Sequence, residues 1–170
     1  LTGYRTSRLG YEFLNINASR GPLKDVRVRQ AISWAVDRTQ VMRIAAAGFG
    51  RLTPPATAPM TDWQLREDQW MPFYKPDPEK AKRLLKEAGF ADGFTVKLSV
   101  IPTFPTMVSG AQVIVPQLKR VGITAEIENV EYAVWIKRWL AKDFDLTMNI
   151  TPGYGDPDTA FFRALHSTKG

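Results

Sequence analysis

Polar and apolar residues alternate along Tyr-Glu-Phe-Leu-Asn-Ile-Asn from Tyr11 to Asn17, a period of two that predicts a strand, and Gly21-Pro22 turns it. The period then lengthens. Val28, Ala31, Ile32, Ala35 and Val36 recur at helical spacing behind Asp25, which is placed to cap them. Asp37 with Gln40 three residues on resembles a capping box, so a second helix is expected to restart there and run to Ala47, with Gly48-Phe-Gly50 as its stop; a single long helix is the alternative. Arg51–Pro76 has no period. Its prolines at 54, 55, 59, 72 and 76 and tryptophans at 63 and 70 read as a coil laid over one side, presenting Pro59-Met60 to a cleft, or as a connector pinned by Trp63 and Trp70. Asp77-Pro78 opens a helix striped by Ala81, Leu84, Leu85 and Ala88, with Gly89 as the left-handed residue past its end and Phe90 packing back on Leu85.

From Phe94 the pattern runs β-α-β-α-β-α. Strand 94–101 precedes a helix over 106–120 with Met107, Ala111, Ile114 and Leu118 inward, and a kink is expected at Pro116. Strand 123–130 precedes a helix over 131–142 with Tyr132, Trp135, Ile136, Trp139 and Leu140 on one face, and 144–150 is the third strand. Right-handed crossovers of this kind predict an α/β fold: three strands in one largely parallel sheet, flanked by helices in three layers. After the third strand, Thr151-Pro-Gly-Tyr-Gly155 breaks the ladder and Asp156-Pro157-Asp158 reads as a helix start. Ligands of α/β sheets sit at such carboxyl ends. A helix cap alone also accounts for Asp156 and Asp158.

Composition narrows the classes. A chain of 170 residues that is 44% hydrophobic and 24% charged can bury a core and is not disordered. No apolar run approaches the ~20 residues of a membrane span. The chain lacks an initiator Met, and Leu1-Thr-Gly-Tyr-Arg5 is no signal peptide, so it is expected to begin inside a longer gene product or after processing. Zero cysteines exclude disulfides and thiol catalysis. The net charge of +6 raises nucleic acid as a partner. The basic residues are spread along the chain, however, and Arg27, Arg29 and Arg38 with Lys24 are interrupted by Asp25 and Asp37. That favours a solvated basic surface. A nucleic-acid module, resting on charge and aromatic content alone, is the rival.

Catalytic residues are not evident. The sole histidine, His166, lies near the end, and Asp143, Asp145, Asp156 and Asp158 match no calcium loop. Gly153-Tyr-Gly155 is too short for a phosphate loop. We therefore expect no enzyme, no cofactor and no metal, which leaves a ligand-binding lobe against the basic module.

Between Leu14 and Arg38 the chain reads Leu-Asn-Ile-Asn-Ala-Ser-Arg-Gly-Pro-Leu-Lys-Asp-Val-Arg-Val-Arg-Gln-Ala-Ile-Ser-Trp-Ala-Val-Asp-Arg. This resembles the family 5 extracellular solute-binding proteins, the dipeptide-, oligopeptide- and nickel-binding components of ATP-driven importers. Collinear matches follow at 77–89, Asp92-Gly-Phe-Thr95, Leu118-Lys-Arg-Val-Gly-Ile123, Asp143-Phe-Asp145 and Gly155-Asp-Pro-Asp158. The resemblance implies most of one lobe, second in sequence, of a two-lobed periplasmic-binding-protein type II fold. It also implies a monomer that is periplasmic, or lipid-anchored outside cells lacking a periplasm. Such a protein hands a solute, peptide or oligosaccharide, to a membrane permease and binds no nucleic acid.

On this reading one wall of the cleft is expected from Pro59, Met60, Pro102, Thr103, Phe104, Trp135, Thr151, Pro152, Gly153 and Tyr154. Peptide-binding relatives place an Asp where Gly153 stands, and dipeptide binders an Arg where Ile101 stands. Losing both anchors predicts a solute without free amino and carboxylate termini.

Overall fold

The computed structural model describes residues 11–54 and 64–151, the last by its backbone alone. Strands β1 (Tyr11–Ile16), β2 (Phe94–Val100), β3 (Ile123–Asn129) and β4 (Leu146–Thr151) form one sheet in the order β1-β4-β2-β3. Strand β2 pairs parallel with both β3 and β4, with Ser99 opposite Glu128 and Thr147. β1 runs antiparallel to β4, from Tyr11 opposite Thr151 to Ile16 opposite Leu146. The three expected strands therefore share one sheet, and β1 makes it mixed.

Capping sets the helices. In α1 (Val26–Ala35) the Asp25 carboxylate accepts from the Arg27 N–H, and in α2 (Arg38–Ala45) Asp37 accepts from the Gln40 N–H. Half of the expected capping box at Asp37 forms locally. The other half comes from buried Gln117, whose Oε1 accepts the Asp37 N–H at 3.0 Å while its Nε2 donates to Gln40 at 2.6 Å. Helix α2 stops at Ala45, two residues short of expectation, and Ala47 turns the chain at φ +48°. The coil expected over 51–76 contains α3 (Glu67–Trp70) and a 3-10 turn (Met71–Tyr74), which bring Trp70 edge-on to Tyr74 at 4.9 Å. Pro59, Met60 and Trp63 lie outside the described residues.

Asp77 caps α4 (Pro78–Glu87), and beyond it Gly89 takes φ +86° while the Phe90 N–H reaches Leu85 O at 2.8 Å, the expected Schellman ending. Helix α5 (Pro105–Lys119) carries Pro116 without ending there, and Met107, Ala111, Ile114 and Leu118 are all buried as expected. Helix α6 (Tyr132–Leu140) follows β3.

The two faces of the sheet differ in chemistry. Val96, Leu98, Val100, Ile123, Ala125, Leu146 and Met148 join α1, α4 and α5 in one apolar cluster. Each fully buried Leu or Ile there contributes about 1.5–3 kcal/mol. The alternate positions Lys97, Ser99, Glu126, Glu128, Thr147 and Asn149 give the opposite face a polar surface, and α6 lies on it. A polar floor cannot absorb a whole apolar stripe. Of the five α6 residues expected to face inward, Trp135 is buried, Ile136 half-buried, and Tyr132, Trp139 and Leu140 stay 50%, 40% and 68% exposed. Among the described residues no helix is long and apolar enough to cross a membrane.

Candidate ligand-binding edge

Because β2, β3 and β4 are parallel, their carboxyl ends lie on one edge of the sheet, and antiparallel β1 starts there too. Three expected site residues meet at this edge: Pro102 and Thr103, both exposed, and Phe104, which is half-buried. They form a tight turn closed by the Phe104 N–H to Ile101 O at 3.0 Å, and Pro105 then starts α5 where its missing N–H costs no bond. The backbone of Thr151 ends β4 on the same side. Pro59, Met60, Pro152, Gly153 and Tyr154 lie outside the described residues, as do Asp156, Asp158 and His166.

Trp135 sits differently. It lies one turn into α6, 7% exposed, with its indole N–H donated to the Thr147 hydroxyl at 2.7 Å and its ring stacked on Trp139 at 5.9 Å. Its neighbour three residues earlier is more accessible. Tyr132 is half-exposed, with its ring centroid 6.2 Å from that of Phe104. The two rings therefore bridge the start of α5, on the apolar side of the sheet, to the start of α6 on the polar side. Helical spacing groups Tyr132 with Trp135 and Trp139 and so hides it. The signal that finds it is its position as the first helical residue after a parallel strand.

Carboxylates complete the edge. Glu131 caps α6, accepting from the N–H groups of Ala133 at 2.9 Å and Val134 at 3.2 Å. Glu12 accepts from the hydroxyl of Thr106 in the first turn of α5.

A second concavity, of about 140 Å³, opens on the polar face between Arg20, Lys97, Ser99, Glu128, Arg138, Asp143, Phe144 and Asp145. Its charges largely satisfy one another. Arg20 pairs with Asp143 and more distantly with Asp145, and Arg138 reaches Glu128 at 2.9 Å. That hydrogen bond, aided by the Arg138 charge and by Ser99, holds the Glu128 carboxyl below its ordinary value. Among the described residues no three His, Asp or Glu side chains gather into a metal site.

A mixed sheet with a turn-and-helix-start edge narrows the fold, and comparison with known proteins settles the family. The model of the bacterial extracellular solute-binding proteins, family 5 Middle, matches residues 1–170. The chain belongs to family 5.

This family 5 chain is 36% identical over 166 residues to the dipeptide-binding protein of Escherichia coli (strain K12), covering 94% of the chain and 30% of that protein. It is 31% identical over 167 residues to heme-binding protein A of Haemophilus influenzae, with the same coverage of 94% and 30%. Among solved structures, the oligopeptide-binding protein AppA of Bacillus subtilis, in complex with a nonapeptide, matches with a TM-score of 0.81 at 24% identity, over 95% of this chain and 34% of that one. The shared fold is the mixed α/β arrangement of type II periplasmic binding proteins. The family 5 chain spans about 30% of the length of these curated relatives.

Proposed function

We propose that residues 1–170 form one ligand-binding lobe of the substrate-binding component of an ATP-driven importer. The protein captures a peptide or similar solute in a cleft between two lobes and delivers it to a membrane permease. It works outside the cytoplasm, in the periplasm or at the cell exterior, as a monomeric binding protein and not as an enzyme. The observation that carries this reading is the family match along the whole chain, joined to 36% identity with a dipeptide-binding protein.

In this reading Pro102, Thr103, Phe104 and Thr151 contribute to the wall and Tyr132 joins them, while Trp135 holds α6 in place behind it. Pro59, Met60 and the 152–154 segment complete the wall as the sequence suggests. A second reading, a non-peptide solute such as an oligosaccharide, is supported by the Phe104–Tyr132 pair, since aromatic faces stack on sugar rings as well as on side chains.

Calorimetry on the 170-residue chain alone should detect weak binding or none, because half of the burying surface is absent. Submicromolar affinity for any solute would contradict the two-lobe account. A thermal-shift screen of the full-length gene product against dipeptides, oligopeptides and oligosaccharides should raise its melting temperature for one class.

A further inference from the structure

The chain has 23 basic residues against 17 acidic ones, yet the described part of the carboxyl edge holds none of the basic ones. Residues 11–13, 100–106, 129–133 and 150–151 form this edge, and the charged residues among them are Glu12 and Glu131. Both carboxylates stand at helix starts. An α-helix N-terminus ordinarily attracts an anion, because its first N–H groups are unpaired and the dipole is positive there. Glu131 already occupies that position on α6. The cap residue of α5, Phe104, has no side-chain acceptor, and Glu12 reaches the first turn of α5 from β1 through Thr106. The root of the adjoining turn is Ile101, apolar and 1% exposed.

We propose that this edge selects its solute by charge: Phe104 and Tyr132 receive an uncharged or cationic part, and Glu12 and Glu131 repel a free carboxylate. The inference rests on the reading of this edge as a wall of the cleft. Ring faces carry negative potential, so a cation or an apolar group rests on them favourably and an anion does not. A solute carboxylate brought here loses water and gains no cation from the described residues of this edge, which leave its desolvation uncompensated. A free amino group suffers no such loss, so of the two expected exclusions the wall supports the one against carboxylate.

The test is calorimetry on the full-length gene product with matched probes. One set is a tetrapeptide of alternating alanine and phenylalanine, with its C-terminus free or amidated and its N-terminus free or acetylated. A second is a neutral tetrasaccharide beside its uronate counterpart. Amidation, or the neutral sugar, should tighten binding about tenfold, the size expected for relief of one close like-charge contact. Acetylation should not tighten it. Glu12→Gln combined with Glu131→Gln keeps acceptors for Thr106 and for α6, and should shrink the advantage to about threefold or less. Tyr132→Ala should weaken all probes alike. Tighter or equal binding of the carboxylate forms, or an undiminished advantage in the double glutamine variant, overturns the inference and leaves the importer reading standing. Binding of no probe from either set overturns this inference together with the peptide-or-oligosaccharide reading, while the family assignment stands.

Discussion

The indole N–H of Trp135 donates to the hydroxyl of Thr147 at 2.7 Å, and that hydroxyl lies 3.2 Å from the carbonyl of Ser99. One buried hydroxyl thus ties α6, β4 and β2 together. Thr147→Val keeps the shape and orphans the indole N–H, so it should lower stability by about 1–3 kcal/mol, while Thr147→Ser should cost less. Urea unfolding followed by tryptophan fluorescence measures both. Equal stability for Val and wild type would show that the bond is dispensable.

Asn17 uses its full hydrogen-bonding capacity. Its Nδ2 donates to the carbonyls of Lys142 and Phe144 at 2.7 and 2.8 Å, and its Oδ1 accepts from the N–H and hydroxyl of Ser19. Asn17→Asp points a carboxylate at two carbonyl oxygens and should be the worst substitution, costing about 3 kcal/mol or more. Lower pH should relieve part of that loss as the new carboxyl gains a proton. Thermal melts of the variant at pH 7 and pH 4 report the difference.

Two left-handed glycines should respond differently to the same change. At Gly93, φ +79°, a Cβ would stand 2.1 Å from the carbonyl oxygen of Gly122, whereas at Gly89, φ +86°, it meets nothing within 4 Å. Gly89→Ala should cost about 1–2 kcal/mol from backbone conformation alone. Gly93→Ala adds a backbone clash between the turns entering β2 and β3, and should cost about 3 kcal/mol or more or prevent folding. Comparable melting temperatures for the two variants would contradict this.

Acid should loosen two joints. Hydrogen bonds from the Arg27 side chain and backbone pull the Asp25 carboxyl from 3.8 to about 2, and Arg138 lowers that of Glu128. A carboxyl depressed on folding contributes stability above its unfolded value, and that contribution is lost as pH falls through the folded value. The loss therefore sets in around the ordinary values of 3.8 and 4.5, and for Asp25 is complete only below about 2. The melting-temperature gap between wild type and Asp25→Asn should be present at pH 6 and shrink by pH 2.5. A gap constant with pH would remove Asp25 as a source of acid sensitivity.

Local rules made much of this legible. Asp25, Asp37 and Asp77 announce their helices, and Met107, Ala111, Ile114 and Leu118 place α5, because a cap or an apolar stripe depends on residues within a turn or two. Gln117 was not legible as the second half of the box at Asp37, since its partners are 77 and 80 residues away. Helix α3, at four residues, is too short to show a period. At the carboxyl edge, the resemblance to family 5 pointed to Pro102, Thr103 and Phe104. Tyr132 was hidden inside an apolar stripe, and the bond from Thr106 to Glu12 spans 94 residues with no sequence signature. Pairings made across the sheet edge are set by topology.

The pairing of β1 with β4 also governs the order in which the chain can fold. Tyr11–Ile16 must wait for Leu146–Thr151, and the Asn17 clasp that seals their junction reaches across 127 residues. Contacts so distant in sequence require a long loop to close before they return any stability, so they form late and slow the reaction. Helices α1, α4 and α5 can gather with β2 and β3 on an emerging polypeptide, but β1 stays without its neighbour until Leu146–Thr151 has left the ribosome.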